Sequence, residues 1–325
     1  MENSTSFSTI ITEVYQSANT TDGNFNNTIQ KPVLSSYYPI LAAELGLSVL
    51  CSVLLIIIYV IIGEHRTLPG KNVISISLCL IVTYILLTVD LLLRNRISFG
   101  VCFAMGVTVQ TFFLATFFWT NVMSYDIMKT MGMVKADTNK TSKFWKYSVY
   151  AWLMTMACVL PAVVIDLSDF VPEVYKPKFG VKKCWLTGQI AFLVYFNLPV
   201  GLTLLANCIF FMVTARTIIR VRNATAILAD NRHKKRFRLC MKLVLIMGLV
   251  WIAEFIPWIT GIYYLYAVAG MLNCLHGVYL FLIFVCKRRI LTQVGMTCLS
   301  SRVPTSPIKK KQSPSLDTIT TTITT

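Results

Sequence analysis

The sequence predicts an all-α membrane protein, a seven-transmembrane helix bundle with the N-terminus outside and the C-terminus inside. Three observations predict it. Seven apolar stretches, at 38–62, 72–93, 102–128, 145–165, 189–214, 239–260 and 267–285, fill most of the 325 residues. Each is about long enough to cross a hydrocarbon layer ~30 Å thick, which takes roughly 20 residues at helical rise. The chain is 55% hydrophobic with a mean hydropathy of +0.65, above the roughly 45–50% of soluble domains. The third observation is the placement of the 30 Lys and Arg residues. Backbone groups left unpaired in lipid are costly, so each stretch must be a helix.

Taken in order, the chain opens with a polar tail, 1–37, rich in Ser, Thr and Asn. No apolar h-region follows Met1, so no cleavable signal is expected and the first span acts as its own insertion signal. Sequons at Asn3, Asn19 and Asn26 mark the tail as an extracellular glycosylation site. It has no strand periodicity and is too short for a core, so disorder is expected. The bundle occupies 38–290. The remainder, 291–325, is expected to be a cytoplasmic tail. It starts with a short juxtamembrane helix in which Ile290, Leu291, Val294 and Cys298 share one face behind Lys287, Arg288 and Arg289.

Seven basic residues lie in the tail and the loops after the second and fourth spans; 22 lie on the opposite side. The richer side is cytoplasmic by the positive-inside rule. The net charge of +16 therefore reads as topology and attraction to anionic inner-leaflet lipid, not as nucleic-acid binding. Eight of the ten cysteines fall within spans, at their inner ends or in the cytosol. Cys102 and Cys184 alone reach the oxidising side, where a disulfide between them would pin the second outer loop over the bundle mouth.

Polar groups inside spans are costly and functional by default. Glu44, Asp90, Asn121, Asn207, Glu254, Asn273 and His276 qualify. Glu44 and Asn121 read as packing groups. Glu254 and His276 read as a buried pair across the sixth and seventh spans. Trp119 and Trp251 stand at mid-depth, either as core or as aromatics that repack, and Pro199 and Pro257 remove backbone bonds and can hinge their helices. No Ser/His/Asp set, metal spacing or phosphate loop is present, so no enzyme and no cofactor are expected.

Certain runs resemble a known family. FFLATFFWTNVMSYD at 112–126, Cys184-Trp185, NCIFF at 207–211 with TARTI at 214–218, MGLVWIAE at 247–254, and LNCLHG at 272–277 with FVCKRR at 284–289 resemble the secretin/adhesion superfamily of G-protein-coupled receptors. Within it they resemble the insect Methuselah-like subfamily. The resemblance covers roughly 38–290. It departs from the rhodopsin-like class, which has Asp-Arg-Tyr where Tyr125-Asp126-Ile127 stands here and a proline in the seventh span. His276 stands where the superfamily commonly has Gln, and no large ectodomain is expected before the first span.

The resemblance implies a multi-pass plasma-membrane receptor. An extracellular ligand, peptide or small molecule, would bias two bundle packings and so signal to a heterotrimeric G protein. Trp119, Asn207, Trp251, Glu254, Asn273 and His276 would form the polar switch. The basic loop at 216–238, with Arg216, Arg220, Arg232, Lys234, Lys235, Arg236 and Arg238, would meet the G protein, although the same charges also set orientation. A transporter or channel, and a receptor-like protein that does not signal, are the rival readings.

Overall fold

A computed structural model describes residues 27–93, 96–132, 140–181, 183–224, 241 and 263–286. Expectations resting on Asn3, Asn19, Asn26, Arg232, Lys234, Lys235, Arg236, Arg238, Trp251 and Glu254, and on the Arg220 side chain, lie outside the described part.

The described backbone is helical throughout its length, apart from the connections. Helix α1 spans Asn27–Ile61, α2 Leu68–Leu93, α3 Phe99–Gly132 and α4 Lys140–Leu167. Helix α5 is built from Gln189–Phe192, a π-helical stretch Leu193–Asn197 and Leu198–Ala224. Two shorter helices follow, α6 (Tyr263–Cys274) and α7 (His276–Phe284). Five of these elements are long and apolar enough to cross a membrane: Pro39–Ile61, Leu68–Leu93, Phe99–Thr130, Ser142–Leu167 and Ile190–Thr217. They coincide with the first five predicted stretches. The sixth stretch, apart from residue 241, lies outside the described residues.

Two differences from the sequence reading have physical causes. Helix α1 starts at Asn27, inside the tail expected to lack structure. Once the apolar span nucleates a helix, extending it costs only one residue's freedom per hydrogen bond gained. The seventh stretch is two helices rather than one, because the chain breaks at Leu275 (φ −82°, ψ 10°).

The hydroxyls within the helices mostly serve their own backbone. Thr83, Thr88, Thr111, Thr116, Thr120, Ser124 and Thr155 each donate to the carbonyl four residues back, at 2.7–3.0 Å. A Ser or Thr in lipid satisfies itself this way, so its presence alone signals no site.

Helix α3 packs against α2, α4 and α5, while α7 returns to α1 and α2. The core is one cluster centred on α3, with Phe113, Leu114, Phe117, Phe118, Trp119 and Val122 buried among Ile76, Leu80, Tyr84, Phe196 and Leu280.

Candidate functional site

Three polar assemblies stand out in the bundle, the first two along α3. The first closes one end of the bundle. Cys102, in the first turn of α3, is bonded to Cys184, and this fixes the loop between α4 and α5 against the helix. The Cys184 amide donates to the Asp90 carboxylate of α2 at 3.2 Å. The Asp166 carboxylate, near the end of α4, accepts the amides of Lys178 (2.6 Å) and Phe179 (3.1 Å). The chain reverses there through left-handed Lys178 (φ 54°) and Gly180 (φ 75°). Gly180 is required: a Cβ would press on the Phe103 backbone nitrogen at 3.0 Å.

The inner half of that loop enters the bundle. Phe179, Cys184, Trp185 and Leu186 are buried. The Trp185 ring packs on Phe113, Phe192 and Phe196, with centroids 5.1–5.6 Å away, and Lys183 Nζ lies 5.0 Å from its centroid. The Trp185 indole N–H donates to Gln110 Oε1 at 2.8 Å. Gln110 Nε2 donates in turn to the Tyr195 carbonyl at 2.9 Å.

That last bond follows from the sequence of α5. Pro199 has no N–H, so the carbonyl four residues earlier, that of Tyr195, loses its helical partner. The helix loosens locally into the π-helical stretch Leu193–Asn197, where the Leu198 amide reaches back to the Leu193 carbonyl. Gln110 takes the freed carbonyl. One fully buried amide side chain thus joins the loop, α3 and the bend in α5. Sequence reasoning singled out Pro199 but not Gln110. The signal was available, since a Gln in the middle of an apolar stretch is costly unless partnered on both its atoms.

The second assembly lies beyond the middle of α3, at Asn121. Asn121 Nδ2 donates to Asn207 Oδ1 of α5 at 3.1 Å, and Tyr150 Oη of α4 donates to Asn121 Oδ1 at 3.0 Å. Asn207, expected as a switch residue, is therefore partnered by Asn121, expected to bond across helices for packing. Near the other end of α3, Tyr147 Oη of α4 donates to Asp126 Oδ1 at 3.1 Å. Tyr125 contacts Tyr147 and Phe210 edge-on. Arg216, farther along α5, is exposed.

The third assembly surrounds the break at Leu275. A broken helix leaves carbonyls without partners. Tyr84 Oη of α2 donates to the Asn273 carbonyl at 2.9 Å, and the Ser48 hydroxyl of α1 donates to the Cys274 carbonyl. Gly277 lets α1 approach: a Cβ there would run into the Ser48 carbonyl and the Ser52 hydroxyl. Asn273 and His276 are both buried. The Asn273 side-chain amide and both His276 ring nitrogens have no hydrogen-bond partner among the described residues. Trp119 is buried and stacks on Phe144 at 5.7 Å.

The structure thus brings Cys102 and Cys184 together and gives Asn207 a partner. Trp119 is placed in the core, and Asn273 and His276 at a helix break. No enzyme-like constellation stands out among the described residues. Asp90, Cys102 and Cys184 come close together, but both sulfurs are committed to the disulfide.

Comparison with known proteins follows the same pattern. The family model described as seven-transmembrane receptor (secretin family) matches residues 35–280. The probable G-protein coupled receptor Mth-like 2 of Drosophila melanogaster is 30% identical over 262 residues, 75% of this chain and 49% of the relative. The G-protein coupled receptor Mth of the same species is 29% identical over 264 residues, 74% of this chain and 49% of the relative. Mth-like 11 is 26% identical over 262 residues, again 75% and 49%. The chain spans about half the length of these relatives.

Proposed function

The chain belongs to the secretin family of seven-transmembrane receptors, and on that premise we propose that it is a plasma-membrane receptor passing an extracellular signal to a heterotrimeric G protein. Its Cys102–Cys184 end faces outward, because a disulfide persists in an oxidising compartment. The charge asymmetry supports the same orientation independently.

The observation that carries the reading is the link Trp185–Gln110–Tyr195. It ties a loop at the outer mouth to the proline bend of α5, and α5 leads to the basic segment 216–238. A ligand that displaces the loop alters what holds the bend. It shifts the population of bundle packings by as much as it prefers one of them. The inward end then offers Arg216, Arg220, Arg232, Lys234, Lys235, Arg236 and Arg238 to the G protein. The ring nitrogens of His276, without a hydrogen-bond partner among the described residues, support a second element of the reading, a resting contact with Glu254.

The test is nucleotide exchange on purified G proteins with the full chain in nanodiscs, screened against peptides and small molecules. A ligand should accelerate exchange. Replacing Arg232, Lys234, Lys235, Arg236 and Arg238 by Gln should abolish the acceleration while ligand binding persists. Exchange that proceeds equally without those charges would remove them from the coupling surface. A double-mutant cycle at Glu254 and His276 tests their contact; strictly additive effects on basal exchange would show that they act apart.

A further inference from the structure

The loop between α4 and α5 has an outer half that behaves unlike its inner half. In residues 179–186 the side chains of Phe179, Trp185 and Leu186 are buried, and among those described only Val181 is exposed. Four large apolar side chains, Leu167, Phe170, Val174 and Tyr175, are each more than half exposed, and Phe170 is 99% exposed. Among the described residues nothing covers them.

The segment is nevertheless tightly held. Helix α4 stops where the Ser168 amide and hydroxyl both donate to the Ile165 carbonyl. The Asp166 carboxylate, holding the amides of Lys178 and Phe179, joins the two ends of the segment. A turn closed by the Tyr175 amide on the Pro172 carbonyl (3.0 Å) lies between them. Glu173 sits between Lys176 (2.8 Å) and Lys178 (3.3 Å). This is a compact loop with adjoining ends, so its apolar side chains cannot stray far from the end of α4.

What lies beside the end of α4 is visible in the helix itself. Val149, Leu153, Leu160, Val164 and Leu167 are all more than half exposed. Their spacing of four, seven, four and three residues makes one stripe along a helix. On a membrane-crossing helix such a stripe faces lipid. Phe170 follows three residues after its last member, within ~10 Å of it at the chain's greatest reach.

We propose that residues 167–175 form an interfacial anchor, with Phe170 inserted at the headgroup boundary of the outer leaflet as the continuation of the α4 lipid stripe. Asp169, Glu173 and Lys176 stay at headgroup level, where charged groups remain hydrated. The anchor holds the outer half of the loop to the bilayer, while the disulfide and Trp185 hold the inner half to the bundle. The loop that would sense a ligand is thereby strung between lipid and protein. This rests on the reading that α4 crosses the membrane with its Leu167 end outward.

The experiment uses the full chain in phosphatidylcholine nanodiscs, with tryptophan placed at 170 (Phe170→Trp) or at 164 (Val164→Trp). The emission added over the parent protein is compared between ordinary and acyl-brominated lipid, and then with aqueous iodide. Both positions are exposed, so neither substitution disturbs the core. The proposal expects the emission added at 170 to be blue-shifted, mostly lost in brominated lipid and little affected by iodide. Quenching at 164 but not at 170, with iodide reaching 170, puts the loop in water and overturns the anchor. Shielding at 170 from both quenchers means that protein covers it, as the chain's own tail or a second copy would, and also overturns the anchor. A tryptophan at 164 that brominated lipid does not quench overturns the membrane placement of α4, and the anchor with it.

Discussion

Helices α3 and α4 are almost equally apolar, with mean hydropathies of 1.8 and 2.0 over their best windows, yet 67% of one window is buried and 22% of the other. In water such a contrast would follow from an apolar face and a polar face. In lipid that cue is gone, because the surroundings are as apolar as the core. What separates the two is where their polar groups go. Helix α3 carries Gln110, Asn121 and Asp126 inward, and each meets another element: the loop and α5, α5 and α4, and α4. Among the described residues of α4 the fully buried polar group is Thr155, bonded to its own helix, while Tyr147 and Tyr150, less buried, serve as partners for the groups of α3. In this bundle the central helix is marked by polar side chains that bond outward to neighbours, not by hydropathy.

The sharpest break of that comparison uses one residue type in both helices. Trp119 in α3 is 2% exposed and Trp145 in α4 is 65% exposed. Trp119→Ala should destabilise by about 3–5 kcal/mol, the usual cost of emptying a large aromatic site in a packed core. Trp145→Ala should change little. Thermal unfolding in detergent measures both, and equal losses would erase the distinction between hub and rim.

Next in size is Gln110→Leu. It leaves a buried indole N–H and a proline-freed carbonyl without partners, at a cost of about 1–3 kcal/mol. Thr155→Val in α4, which removes a bond local to its own helix, should cost a fraction of that. A Gln110→Leu variant as stable as the parent would show that the amide carries no strain-bearing tie.

Smaller still is the coupling of Asn121 to Asn207. Hydrogen bonds between membrane helices average ~0.6 kcal/mol in double-mutant cycles. A cycle with Asn121→Leu and Asn207→Leu, scored by unfolding in increasing dodecyl sulfate, should return a value of that order. A value of zero would reduce the pair to packing.

The smallest effect belongs to the outer loop. Glu173 donates nothing but accepts from Lys176 and Lys178, and these hold its carboxyl below the usual carboxylate range. A depressed folded value means stabilisation that is present above the ordinary pKa and lost as pH falls through the folded one. The group is well exposed, so the effect is slight. Amide exchange at 172–176, corrected for its intrinsic rate, should quicken on acidification in the parent and do so less in Glu173→Gln.

Much of this was legible in the sequence. The first five apolar stretches became helices because lipid permits little else. Cys102 and Cys184 are paired, as expected of the two cysteines that the charge count puts on the oxidising side. Pro199 announced a bend through its missing N–H. Other features were hidden for identifiable reasons. The break at Leu275 has no proline to mark it; it depends on hydroxyls from α1 and α2, Ser48 and Tyr84, meeting carbonyls more than 180 residues away. Asn121 reads as a cross-helix packing bond, but which partners it takes, Asn207 and Tyr150, was hidden because they come from two other helices. Gln110 escaped because its value lies in joining two groups that neither motif nor periodicity brings together.

The central claim is that α3 ties the outer loop to the bend of α5 through Gln110. The most direct measurement is a double-mutant cycle between Trp185→Phe, which deletes the indole donor, and Gln110→Leu, which deletes its acceptor, scored by thermal unfolding of the full chain. The account predicts that the double variant loses less than the two single losses combined, with a coupling of about 1 kcal/mol for a buried hydrogen bond. Additive losses would contradict it, because Trp185 and Gln110 would then stabilise the bundle independently and the loop would have no hold on α5 through Gln110, only through the packing of Trp185 on Phe192 and Phe196.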